Sequence, residues 1–237
     1  VFYLSISRVA GTRGNRCEVV MLRHNVYEVR LSLPEQLNIY GAEIPRHIAM
    51  MLVDDLRALR NTFNISAAVS LVQVATWSTA AYLARETFGW SIVYDCMDEW
   101  DTFPGMSEAL LASERRLLVD ADLVVVTGQK LFEKYRERNE HVVLARNGAD
   151  FDFFHEGPFQ SVLPDVPRPI IGYFGAIADW FDLELVTKLV RERTSYTVVL
   201  VGGVFNVAVE TIEHYPNVVI VGQKPYELMP SYLHAFD

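Results

Sequence analysis

Residues 92–126 read IVYDCMDEWDTFPGMSEALLASERRLLVDADLVVV. The stretch opens on a short apolar run, 92–94, and closes on another, 123–126; both have strand length. Between them, 107–119 reads as a helix with Ser107 placed to cap it. Strand, helix and strand at this pitch make a parallel βαβ unit.

The rhythm extends outward in both directions. Upstream, 67–74 reads as a strand and 78–88 as a helix that Gly89 stops. Downstream, 130–138 reads as a helix and 142–144 as a strand. A longer helix spans 44–63, where Ile48, Met51, Leu52, Leu56, Leu59 and Phe63 recur at spacings of three and four. Asp54, Asp55, Arg57 and Arg60 fill its other face, and Pro45 suits its first turn. Before it, 1–5, 18–22 and 27–33 are strand-like. The last two are separated by Arg23-His24-Asn25, as in a hairpin, and Pro34 ends the region.

The alternation breaks over 147–169, which holds Gly148, Gly157, Pro158, Pro164, Pro167 and Pro169 and has no helical period. It restarts with a strand at 170–174, a helix at 183–193 and a strand at 197–201. A short helix near 207–214, a strand at 218–221 and a helix from Tyr226 follow. This organisation predicts a first domain over 1–156, a linker over 157–168 and a second domain over 169–237. Three strands are few for a doubly wound sheet. With a strand-like run at the first residue, this leads us to expect a chain cut at both ends.

The totals fit an ordinary globular protein: 237 residues, 51% apolar and 22% charged. A net charge of −9 repels phosphate backbones, so nucleic acid is not an expected partner. Cys17 and Cys96 lack metal-ligand spacing and cannot staple a chain of this size, which fits a reducing, cytoplasmic setting. No run approaches the roughly 20 apolar residues of a membrane helix, and no signal peptide is expected; peripheral membrane contact stays open. Asn64-Ile65-Ser66 matches a glycosylation sequon and is read as chance.

No G-x-G-x-x-G, Walker loop, nucleophile elbow or H-E-x-x-H is present. Chemistry is therefore sought where open α/β sheets bind ligands, outside the carboxyl ends of their strands. After 92–94 comes Asp95-Cys96-Met97-Asp98-Glu99-Trp100-Asp101. Asp95 and Asp98 are the candidate catalytic carboxylates, in a cleft for sugar hydroxyls or as a general base. The alternative is a solvated loop whose acids cap the next helix, which composition alone favours.

After 170–174 come Gly175 and Ala176, small enough for backbone N–H groups to approach a diphosphate, with the positive end of the next helix behind them. The alternative is a tight turn with Asp182 as N-cap. Gly202-Gly203 follows 197–201, and Gly222-Gln223-Lys224-Pro225-Tyr226 follows 218–221. Three glycine-bearing strand ends in a row favour a ligand site more than any one alone. The donor-side candidates are Gly175, Ala176, Gly202, Gly222, Gln223, Lys224 and Tyr226. The six histidines form no spaced pair, so no metal site is expected.

Several segments, in order, resemble the GT-B glycosyltransferases of family 4. Residues 92–105 resemble the segment after a mid-sheet strand. Glu114-Arg115 with residues 121–127 resembles the ER-x-L-x-x-x-AD-x-V-x-x-T/S stretch. Asn147-Gly148-Ala149-Asp150 with Phe154 resembles the NGVD-x-x-x-F signature, and 171–185 and 217–232 resemble the start of the donor-binding domain. The likeness runs from about Tyr94 to Asp237, and the first 90 residues match in layout only.

The resemblance implies two Rossmann-like domains with parallel sheets, the second incomplete, facing a cleft. It implies a retaining transfer from a nucleotide-sugar donor, the co-substrate, to a saccharide or other hydroxyl acceptor, with no cofactor and no required metal. It departs from the family in lacking the glycine-bearing first strand, the acceptor-side His, where Gln73, Thr76 and Trp77 stand, and the paired-glutamate motif. These departures predict that 1–237 alone is inactive. The competing expectations are a non-catalytic sugar- or nucleotide-binding relative and a sugar-nucleotide epimerase. A single flavodoxin-like or response-regulator-like module is disfavoured by the proline-rich break.

Overall fold

The computed structural model describes residues 1–9, 17–33, 37–38, 41–103, 105–157 and 159–237. Pro34, expected to end the opening strands, and Pro158 of the proline-rich break lie outside the described residues. The chain divides into two compact units, Val1–Asn147 and Gly148–Asp237. The sequence expectation kept 148–156 with the first domain; in the structure these residues cluster with the second unit.

The first unit begins with β1 (Phe2–Val9), β2 (Cys17–Arg23) and β3 (Val26–Leu33), in the order β1-β3-β2. β2 and β3 pair antiparallel as the expected hairpin, and Asn25 at its tip has φ 59°, a left-handed conformation that Asn tolerates. β1 lies on the other side of β3 and runs parallel to it, pairing Phe2 with Tyr27 and Leu4 with Val29.

Helix α1 (Arg46–Thr62) packs its apolar stripe on this sheet. Ile48, Leu52 and Leu59 are buried with Val29, Leu31 and Leu33, while Met51, Leu56 and Phe63 pack at the margin. Burying side chains of this kind stabilises by roughly 1.5–3 kcal/mol each before entropy is counted. Ala80 and Leu83 of α2 (Ser78–Phe88) complete the same core.

The opposite side of α2 faces a second sheet. There β4 (Val69–Val72), β5 (Ser91–Cys96), β6 (Leu123–Val126) and β7 (Val142–Leu144) pair in parallel and in chain order. α3 (Glu108–Asp120) and α4 (Gln129–Tyr135) make the crossovers. Ile92, Tyr94, Cys96, Val124 and Val126 are buried against Leu110, Leu117, Leu118, Leu131 and Tyr135. Ser107 caps α3 by accepting from the Leu110 N–H at 3.1 Å, and α2 ends with Gly89 left-handed at φ 72°.

The second unit carries α5 (Phe151–Glu156), then β8 (Ile170–Phe174), α6 (Leu183–Glu192), β9 (Thr197–Val201), α7 (Glu210–Glu213), β10 (Val218–Gly222) and α8 (Met229–Ala235). The three strands are parallel in the order β10-β9-β8. β9 is buried along its whole length and feeds two cores by its period of two. Val198 and Leu200 join Ile177, Val190 and Ile212 on one face; Val199 and Val201 join Ile170 and Tyr232 on the other. On that second face the Phe236 ring lies over Gly172, where a Cβ would come within 2.1 Å of it.

Helix α5 was not expected from sequence. Its six residues are too few to show a helical period. Asp150 caps it, accepting from the Phe153 N–H at 3.2 Å. Phe153 stacks on Tyr226 at 5.2 Å between centroids and Phe154 meets the same ring edge-on at 5.7 Å. These contacts tie 151–156 to the second unit.

Candidate functional site

The carboxyl edge of the four-stranded sheet carries the acidic cluster predicted after β5. The structure splits it into two groups. Asp95, the penultimate residue of β5, accepts a hydrogen bond from Gln73 Nε2 at 3.0 Å. Gln73 follows β4, the neighbouring strand, so parallel register brings the two together. Asp98 is exposed, and its side chain makes no hydrogen bond or ion pair among the described residues. Its backbone oxygen receives the Cys96 thiol at 3.5 Å.

Glu99 and Asp101 belong to a separate network. Lys130 and Lys134 of α4 bond to Glu99 at 2.6 and 2.9 Å, and Lys134 also reaches Asp101 at 2.8 Å. The bonds from Lys130 and Lys134 hold the Glu99 carboxyl below its usual range. Against partial desolvation, which favours the neutral amine, the bonds to Asp101 and Glu99 raise Lys134 further. Of the four acids, only Asp95 and Asp98 are not neutralised by a lysine.

Beneath the cluster, Glu114 of α3 is buried at 5% exposure and accepts from the Tyr94 hydroxyl at 2.9 Å. Burial raises its carboxyl, partly opposed by the Tyr94 bond. Burial and the nearby Glu114 charge push the Cys96 thiol up to about 12, so this cysteine is an inert core residue.

In the second unit the three strand-end glycines form a row across the carboxyl edge. Gly175, Gly202 and Gly222 all have positive φ, at 143°, 154° and 75°. Backbone bonds join them: Gly175 N–H to the Val201 oxygen at 3.0 Å and Gly202 N–H to the Gly222 oxygen at 3.0 Å. A Cβ on Gly202 would come within 1.8 Å of the Gly175 oxygen, so only glycine allows this approach. Around Gly222 the space is open, with nothing within 4 Å of a Cβ.

The expected use of the Gly175 N–H, as a donor to a diphosphate, differs from what is found. That N–H is spent on β9, because strand pairing continues one residue past β8. The Ala176 N–H makes no bond among the described residues, while its oxygen accepts from Tyr173 Oη at 2.8 Å and Trp180 Nε1 at 3.2 Å. Asp182 caps α6 by accepting from the Leu185 N–H at 2.8 Å. Gln223 and Lys224 are exposed just past β10, and Gln223 Oε1 would lie 3.6 Å from a Cβ on Gly203. Tyr226 is 56% exposed, with Phe153 stacked on its ring.

Three features escaped the sequence reading: the Gln73 partner of Asp95, the lysines of α4 and the exposed rings of Trp180 and Phe205 beside the glycine row. The apolar character of the last pair was visible, but exposure is set by tertiary packing. Among the described residues, no group of three or more His, Cys, Asp or Glu side chains is placed to hold a metal ion. Among them, too, no helix is long and apolar enough to cross a membrane.

No protein-family model and no curated protein sequence matches the chain. Solved structures do. Anabaena HepE in complex with UDP is similar with a TM-score of 0.56 at 16% identity, over 83% of this chain and 58% of that one. HepE in complex with UDP and glucose gives 0.57 at 15% identity, over 80% and 54%. The catalytic domain of starch synthase IV from Arabidopsis thaliana, bound to ADP and acarbose, gives 0.56 at 11% identity, over 90% and 60%. The chain thus spans 54–60% of the length of these neighbours. At such identities the likeness is one of fold, and that fold is the α/β architecture of the GT-B glycosyltransferases, with Rossmann-like parallel sheets.

Proposed function

We propose that the protein is a glycosyltransferase of the family 4 type that binds a nucleotide-sugar donor and transfers its sugar, with retention, to a saccharide or other hydroxyl acceptor. The feature that supports this best is the row of Gly175, Gly202 and Gly222, three adjacent strand ends on the carboxyl edge of the β10-β9-β8 sheet that add no side chain of their own. A bare edge of this kind lets a diphosphate approach backbone. Lys224 is the cation beside it, and the Ala176 N–H is an uncommitted donor among the described residues. Gln223 and Tyr226 border the base or phosphate region. The HepE structures hold UDP and the starch synthase IV structure holds ADP, which points to the same ligand class here.

In the first unit we assign Asp98 and Asp95 to the chemistry. Asp98 is a carboxylate without a lysine partner, able to accept a proton or a hydroxyl hydrogen bond. Asp95, fixed by Gln73, orients rather than transfers. No metal or cofactor is assigned a role.

The test is calorimetric titration with UDP, ADP and GDP, together with sugar transfer from a panel of nucleotide sugars by 1–237, expected inactive alone, and by any longer protein that contains it, followed by NMR of the product's anomeric configuration. Gly222→Val and Lys224→Ala are expected to weaken nucleotide binding about tenfold, and Asp98→Asn to lower transfer while leaving nucleotide affinity unchanged. Inverted product would overturn retention. Unchanged affinity in both donor-edge variants would overturn the site.

A further inference from the structure

The loop after β8 and the loop after β9 are zipped together beyond the sheet. Ile177 N–H bonds to the Gly203 oxygen at 2.9 Å, Phe205 N–H bonds to the Ile177 oxygen at 2.8 Å, and Ile177 forms a parallel bridge with Val204. Ile177 itself is fully buried. The pair is therefore a fixed extension of the fold, not a loose tip. It holds two aromatic rings in water, Trp180 at 67% exposure and Phe205 at 54%.

Trp180 is oriented. Its indole N–H is spent on the Ala176 oxygen at 3.2 Å, so the only interaction left to the ring is through its apolar face. Asp179 beside it is exposed and makes no hydrogen bond or ion pair among the described residues. Residues 175–185 carry Asp179, Asp182 and Glu184 and no Lys, Arg or His. Asp182 and Glu184 already complement the positive end of α6. An anion is thus disfavoured around Asp179 and Trp180, whereas a neutral ring with apolar C–H faces and hydroxyl donors suits a flat aromatic face beside an acceptor-only carboxylate.

We propose that this loop pair is a saccharide platform: Trp180 stacks on the C–H face of a pyranose ring, and Asp179 accepts hydrogen bonds from its hydroxyls. The platform rests on the donor function above for one source of that ring, the sugar of a nucleotide sugar; the other source is an acceptor saccharide. The diphosphate is left to the bare glycine edge and Lys224.

The experiment titrates the full chain with UDP, UDP-glucose and maltotetraose. Calorimetry is read beside the fluorescence of Trp180, the most exposed of the four tryptophans. Trp180→Ala is expected to weaken UDP-glucose or maltotetraose at least tenfold while UDP stays within about twofold. Trp180→Phe restores most of the loss, and Asp179→Asn weakens the same probe about threefold. Loss confined to UDP-glucose assigns the donor's sugar, and loss confined to maltotetraose assigns an acceptor. If UDP fails to bind but maltotetraose binding depends on Trp180, the donor function fails and the platform stands. Saccharide binding unchanged in Trp180→Ala, or no response of Trp180 to either sugar probe, overturns the platform and leaves the donor function to its own test.

Discussion

Gly202 sits so close to Gly175 that a Cβ on the former would come within 1.8 Å of the latter's carbonyl oxygen. The contact is backbone against backbone, so no side chain can move aside to relieve it. Gly202→Ala is therefore expected to destabilise the second unit by about 3 kcal/mol or more, with φ at 154° adding strain. Gly222→Ala meets open space and strains only the backbone, costing about 1–2 kcal/mol. Thermal melting of the two variants checks the order. Equal losses would mean that the close approach contributes nothing.

Gly172 makes a similar demand through a ring. Gly172→Ala places a methyl against Phe236 and is expected to cost about 1–3 kcal/mol. Pairing it with Phe236→Ala should recover part of that loss, because the two sites touch. Strict additivity in the double-mutant cycle would contradict the packing described.

Lys134 bonds to both Glu99 and Asp101, whereas Lys130 is largely exposed and bonds to Glu99 alone. Lys134→Met should lower the melting temperature at pH 7 by roughly 2–4 °C, and Lys130→Met by less. Glu99 has a depressed folded pKa. Its stabilising contribution is complete above its unfolded pKa, about 4.3, and disappears as pH falls through the lower folded value. The gap between wild type and Lys134→Met should accordingly narrow by pH 3. A gap that widens with acidification would contradict the network.

Glu114 titrates with the opposite sign. Burial raises its folded pKa, so the folded state favours the protonated acid. That contribution is complete below the unfolded pKa and is lost as pH rises through the folded value. Glu114→Gln keeps an acceptor for the Tyr94 hydroxyl without the buried charge. It should raise the melting temperature at pH 8 by roughly 2–4 °C and have little effect at pH 4. Lower stability at both values would show that the carboxylate is needed where it lies.

What could be read from the sequence is what local pattern decides. The parallel β4–β7 order follows from the strand–helix rhythm, and the glycine row follows from small residues after each apolar run. The parallel pairing of β1 with β3 joins residues about 25 apart and leaves no periodic trace. Helix α5 is shorter than the window in which periodicity can be seen, although Asp150 at its cap was a usable signal. In the candidate site, the acids after β5 were legible as a group. Their division into a Lys134 network and a free Asp98 was not, because it depends on a lysine 33 positions beyond Asp101.

The most direct measurement is hydrogen exchange of the full chain with and without saturating UDP. The predicted result is slower exchange confined to 175–176, 202–203 and 222–226, lost in the Lys224→Ala protein. Binding of UDP with no protection at these three strand ends, or no binding of any common nucleoside diphosphate by the folded protein, would contradict a donor site on the glycine row.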